Sequence, residues 1–233
     1  MYPKTVQTER KLLHRLASAS GGVLTLLSLS SYYRDRASYK RLPLLERAVG
    51  VHPYCQDARV WFHLGEAMEK ERSPHWIRAR ALPPAYSAYR RATELDPSHS
   101  EAWFAQARCL SMELPLEPIV DAIVHALQSA IQADPGKEHY WCRLGAILAY
   151  GPCRPEEAAA AYEQGLELRR MGEGPGWEWF QLAGIYHHRL RRHADAERCV
   201  LKAIEIDSPN PGYMKLLDSI RQAEEGRRPA SPA

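Results

Sequence analysis

The chain has 233 residues and a formal net charge of +3, with 45% hydrophobic and 25% charged residues. Those proportions are ordinary for a folded protein and weigh against disorder and against a membrane protein, and so small a net charge does not by itself call for nucleic acid. Its cysteines, Cys55, Cys109, Cys142, Cys153 and Cys199, lack CxxC spacing and fall among apolar positions, so they read as thiols in a reducing compartment. The cytoplasm is the expected location.

Met1 to Ser20 sets Lys4, Arg10, Lys11 and Arg15 against Leu12, Leu13 and Leu16, the pattern of a helix with one apolar edge, and Gly21-Gly22 interrupts it. Val23 to Leu29 is apolar but too short to span a bilayer. Basic residues before a short apolar run also resemble a targeting segment, which makes delivery to an organelle the alternative location. Glu9 and the lack of a small-residue cleavage site after Leu29 favour a capping helix followed by the first helix of a degenerate unit. Arg34, Arg36, Lys40, Arg41 and Arg47 crowd the next segment, as a solvated basic face or, second, an electrostatic docking patch. Tyr39 to Val49 fits another helix, ended near His52-Pro53, and Asp57 is placed to cap the helix that carries Trp61.

An insertion follows. Ser73-Pro74 would open a short helix over Trp76 to Leu82, closed by Pro83-Pro84. Trp76, Arg78 and Arg80 on it could touch a partner, or Trp76 could fold back onto its own repeat. Ala85, Tyr89 and Ala92 then form one helical face, Asp96-Pro97 ends it, and Ser98 or Ser100 is the expected N-cap of the helix bearing Trp103, Ala107 and Leu110. Pro155 with Glu156-Glu157 suits another helix start, where carboxylates complement the helix dipole. Pro211 to Gln222 gives a last helix with Tyr213, Leu216, Leu217 and Ile220 on one side, and the end of the chain lacks apolar periodicity.

The register of these helices repeats. Trp61, Trp103, Trp141 and Trp179 are spaced by 42, 38 and 38 residues, and each is followed by a small residue four positions on: Gly65, Ala107, Gly145 and Ala183. The partner faces read Ala85, Tyr89, Ala92; Ile123, Leu127, Ala130; Ala158, Tyr162, Gly165; and Ala196, Val200, Ala203. This pattern resembles the tetratricopeptide repeat family, whose helix-turn-helix unit of roughly 34 residues carries Trp-x-x-Leu-Gly-x-x-Tyr in its first helix and Ala, Phe-like, Ala and Pro in its second. The resemblance covers Asp57 to Pro209 and departs from the family in insertions between the helices of a unit, at Glu69 to Pro84 and Ser111 to Pro118, and in a glycine-rich joint at Gly172 to Gly176.

It implies an all-α fold, a right-handed solenoid of tetratricopeptide-type helical hairpins with N- and C-terminal capping helices. The expected divisions are residues 1–56 as N-terminal helix and degenerate repeat, 57–209 as four repeats, 210–222 as capping helix and 223–233 as a flexible tail. The Trp, Leu and Tyr stripes would be core, and the concave face of the first helices would hold a peptide or helix of a protein partner. Carried over repeat by repeat, that face comprises Phe62 and Glu66, then Phe104 and Arg108, then His139, Arg143 and Tyr150, and finally Trp177, Phe180 and His187. Phe62 and Glu66 stand where the carboxylate clamp of the family's chaperone-tail binders has Lys and Asn, which disfavours an acidic chaperone tail.

No Gly-rich phosphate loop, HExxH, nucleophile elbow or kinase set is present. The reading is therefore non-enzymatic, without cofactor or metal: an interaction scaffold or adaptor, or a subunit of a larger complex. His187-His188, His193 and Cys199 are the best metal candidates, and adjacent helical histidines diverge by about 100°. The alternatives are an RNA-binding helical-repeat protein, against which the arginines fail to recur once per repeat, and a noncatalytic subunit of an enzyme.

Overall fold

A computed structural model of the chain describes residues 4–17, 22–51, 54–70, 84–113, 119–151, 154–169, 175–207 and 210–225. Among them are twelve α-helices and no strand: α1 (Lys4–Ala17), α2 (Val23–Arg36), α3 (Ser38–Val49), α4 (Ala58–Lys70), α5 (Pro84–Leu95), α6 (Ser100–Glu113), α7 (Val120–Ala133), α8 (Glu138–Tyr150), α9 (Pro155–Leu168), α10 (Trp177–Gly184), α11 (His193–Ile206) and α12 (Pro211–Glu225). The helix expected over Trp76 to Leu82 and the expected tail beyond residue 225 lie outside the described residues. The chain divides into two compact units, Met1–Pro115 and Leu116–Ala233, within the second expected repeat and between α6 and α7.

In the first unit, one apolar cluster joins Leu26 of α2, Leu45 and Ala48 of α3, Val60 and Leu64 of α4 and Ala88 of α5. Each fully buried aliphatic side chain of this kind contributes about 1.5–3 kcal/mol, so this degenerate N-terminal segment is part of the folded body. Asp57 caps α4 as expected, accepting from the Arg59 N–H at 2.9 Å. At α6 the cap differs from expectation. His99 Nδ1 accepts from the Ala102 N–H at 3.3 Å, while Ser98 closes a turn on Asp96 through its own N–H at 3.0 Å. Arg41 also departs from the expected solvated face: it is 2% exposed and donates through Nε to Ser30 Oγ at 3.1 Å.

In the second unit, Tyr140, Leu144 and Leu148 of α8, Tyr162 and Leu166 of α9, Leu182 of α10, Val200 of α11 and Leu217 and Ile220 of α12 are buried. The final helix therefore packs its predicted face inward. At the end of α10 the backbone widens into a π-turn, Ile185–Arg189, and Arg191 then adopts a positive φ of 56°. The Arg192 N–H closes this helix end on the Tyr186 carbonyl at 2.9 Å, a C-terminal arrangement that glycine more often fills.

Two elements of the repeat are explained by contact. A Cβ on Gly65 would lie 2.5 Å from the Tyr89 ring, and one on Gly145 would lie 2.6 Å from that of Tyr162. The small position is thus the floor on which a buried tyrosine of the next helix lies. The tryptophans differ from the core role expected of them. Trp61, Trp103 and Trp141 are half-buried, and each indole N–H donates to a carbonyl six residues earlier, on Cys55 at 2.9 Å, Pro97 at 2.9 Å and Pro135 at 3.0 Å.

Candidate functional site

The two units each bring a different pair of the candidate residues together. In the first, the Phe62 ring is half-buried against Tyr89 and His99, with ring centroids 5.7 and 4.7 Å away. One turn on, Glu66 Oε2 accepts from Arg41 at 2.7 Å and from Arg34 at 2.9 Å, and lies 2.8 Å from His63 Nδ1. Burial pushes the Glu66 carboxyl up, but the hydrogen bonds from His63 and Arg41 and the charge of Arg34 outweigh it and hold the pKa at about 2. Glu69, a turn further, accepts from Tyr89 Oη at 2.9 Å, from Arg108 and from the Cys109 thiol at 3.3 Å. Arg34, Arg41, Glu66, Glu69, Lys70 and Arg108 together line an open pocket of about 350 Å³. Phe104 is half-buried on the first turns of α6.

In the second unit, Tyr150 closes α8 with 65% of its surface exposed and donates its hydroxyl to Gln181. Phe180 of α10 stacks on Tyr213 of α12 at 5.0 Å. Tyr150 and Phe180 line a pocket of about 380 Å³ with Gly184, His188, Arg189 and Leu216. His139 and Trp177 are exposed and Arg143 is half-buried. At 1.5 Å per residue, His139 lies about 16 Å along α8 from Tyr150, too far to share its pocket.

His187 is corrected outright. It is 5% exposed, with Nδ1 2.9 Å from His193 Nδ1 and Nε2 3.2 Å from Ser219 Oγ. Burial first, then the nearby His188, His193 and Arg191, lowers its pKa from the ordinary histidine value. The π-turn is the reason. It accommodates an extra residue, so of the two histidines that helical counting places on the open face, His188 reaches the pocket and His187 turns inward. Trp76, Arg78 and Arg80 lie outside the described residues. Among the described residues, no group of three His, Cys, Asp or Glu side chains could hold a metal ion, and no helix is long and apolar enough to cross a membrane.

Hairpins stacked in this register are found in solved structures. YrrB, described as a TPR protein with an unusual peptide-binding site, matches 89% of this chain and 97% of its own with a TM-score of 0.68 at 12% identity. The chain has the tetratricopeptide-repeat fold. PilF of Pseudomonas aeruginosa matches over 97% of this chain and 88% of its own, with a TM-score of 0.62 at 15% identity. MamA of Desulfovibrio magneticus covers 98% of this chain and 100% of its own, with a TM-score of 0.53 at 12% identity. No protein-family model matches the sequence and no curated protein does, and the likeness to these solved structures is one of fold.

Within that fold, sequence reasoning missed Gly184, Arg189 and Leu216 around Phe180, and it did not join Arg34 and Arg41 to Glu66. For the first set the signal was present in part: Leu216 had been assigned to a buried face, and nothing in the pattern reports a π-turn. For the second, the basic segment at residues 34–47 and the carboxylates of α4 were both visible, but their meeting depends on how α2 and α3 pack against α4.

Proposed function

We propose that this chain is a non-enzymatic scaffold or adaptor that takes a peptide or helix of a protein partner, as one subunit of a larger assembly. The observation that carries the reading is the pocket of about 380 Å³ in the second unit, where the exposed Tyr150 and the half-buried Phe180 converge with Leu216 under a polar rim of Gln181, His188 and Arg189. An aromatic-lined recess with a few polar groups at its edge suits one apolar anchor of a bound segment. Phe62, Glu66, Phe104 and Arg108 in the first unit, and His139, Arg143 and Trp177 in the second, are assigned to further partner contact. Residues 57–209 are assigned as four repeats, with 1–56 before them and a capping helix after them. YrrB supports the reading as a TPR protein with a peptide-binding site, and the buried thiols Cys142 and Cys199 suit the cytoplasm.

The pocket can be filled without disturbing the fold. A Cβ on Gly184 would meet nothing within 4 Å, and its backbone is helical, with φ −60° and ψ −41°. A peptide selected from a random library on the immobilised wild-type chain should bind the Gly184→Leu variant at least about 30-fold more weakly, as for loss of a 2 kcal/mol anchor, while helicity by circular dichroism is retained. Equal affinity for the two proteins would show that the anchor lies elsewhere.

A further inference from the structure

The pocket of the first unit holds more positive charge than its own carboxylates use. Among the described residues that line it, Arg34, Arg41, Lys70 and Arg108 are set against two carboxylates, Glu66 and Glu69. Arg41 is committed beneath Glu66, with its side chain 3% exposed, and Arg108 is paired with Glu69. Arg34 and Lys70 remain. Arg34 shares a single oxygen, Glu66 Oε2, with Arg41, so that one carboxylate serves two guanidinium groups. Its own Nε is buried without a hydrogen-bond partner among the described residues. Lys70 donates to the Arg34 carbonyl at 2.8 Å and has no carboxylate partner among the described residues. Among the described residues the lining therefore carries two more cations than carboxylates, with Arg34 and Lys70 side by side at the mouth of an open pocket and the exposed edge of Arg108 beside them.

We propose that this pocket binds a phosphate monoester, carried by a phosphorylated side chain of the protein partner. A phosphomonoester has a charge of about −1.5 to −2 at pH 7 and three strong acceptor oxygens. That matches an excess of two positive charges, whereas a single carboxylate would leave one of them unmatched. Arginine and lysine supply the donors such a group takes: a planar fork from guanidinium and a point charge from ammonium. The assignment rests on the scaffold reading for the source of the phosphate, while the pocket itself is in the other unit from Phe180.

The test uses the full chain and fluorescein-labelled pentapeptides of glycine with a central phosphoserine, serine or glutamate, followed by fluorescence anisotropy. The phosphoserine peptide should bind at least tenfold more tightly than the other two, weaken as sodium chloride rises, and be displaced by inorganic phosphate. Lys70→Gln and Arg34→Gln should each weaken it at least tenfold with unchanged circular dichroism, and Gly184→Leu should leave it unaltered. Equal binding of the three peptides, or indifference to both glutamine variants, would overturn the site. Displacement by inositol trisphosphate at concentrations far below those of the phosphopeptide would overturn the assignment to a protein partner. Failure of the Gly184→Leu test with success here would sink the apolar anchor alone.

Discussion

The hairpins α4–α5 and α8–α9 use the same device and reach different surfaces. Each lays a fully buried tyrosine, Tyr89 or Tyr162, on a glycine four residues after the repeat tryptophan. The position eight residues after that tryptophan then separates them. In α4 it is Glu69, which accepts from the Tyr89 hydroxyl and gathers Arg108 beside a charged pocket. In α8 it is Ala149, which lines the apolar pocket of Tyr150 and Phe180, and the buried Tyr162 hydroxyl has no hydrogen-bond partner among the described residues. The backbone approach is held constant in these two hairpins while the next turn differs, charged beside Glu69 and apolar beside Ala149.

The largest way to break this contrast is to attack the charged hairpin from below. Arg41→Ala removes the buried guanidinium that serves Glu66 and Ser30, leaving Glu66 to Arg34 and His63, and should cost about 2–4 kcal/mol in urea denaturation at pH 7, as for one charged and one neutral hydrogen bond. Because the Glu66 pKa is held at about 2, below its ordinary 4.5, its contribution of up to about 3 kcal/mol is complete above pH 4.5 and is lost as pH falls towards 2. Wild-type stability should therefore drop over that window, and less so in the variant. A variant with wild-type stability would remove the electrostatic half of the comparison.

The shared half is tested by Gly65→Ala and Gly145→Ala. Each places a methyl group inside the contact distance of a buried ring, and each should cost about 1–3 kcal/mol despite alanine's better helix propensity. Thermal melts in which one variant matches wild type would show that the two floors are not equivalent. The smallest effect is the sharpest. Tyr89→Phe should cost about 1–2 kcal/mol by losing a hydrogen bond to a carboxylate, and Tyr162→Phe should cost nothing or stabilise slightly. Equal losses from both would contradict the contrast.

Most of the helical architecture was legible because its signals are local. Pro97 and Pro135 mark chain turns, and Ala85-Tyr89-Ala92 and Ala158-Tyr162-Gly165 expose period-3.6 faces that the structure buries. The site was less so. Phe62 and Phe180 are half-buried against Tyr89 and Tyr213, partners set by helix packing rather than by spacing within one helix. His187 was lost to a backbone irregularity, and Arg41 to the assumption that a basic run faces water, when helix packing sets its guanidinium against Glu66 instead.

The indole bonds described above also govern where the chain can change length. Trp103 and Trp141 each tie themselves to a carbonyl six residues back, across turns of four residues between Leu95 and Ser100 and between Ala133 and Glu138. Each indole closes a ring of fixed circumference, and an added residue would carry the acceptor out of reach. The other connections of these helices differ in length, running from 71 to 83, from 114 to 119 and from 151 to 154. The turns that carry an indole bond are thereby held to one length, and an inserted residue there would cost a hydrogen bond as well as the register of the helix that follows.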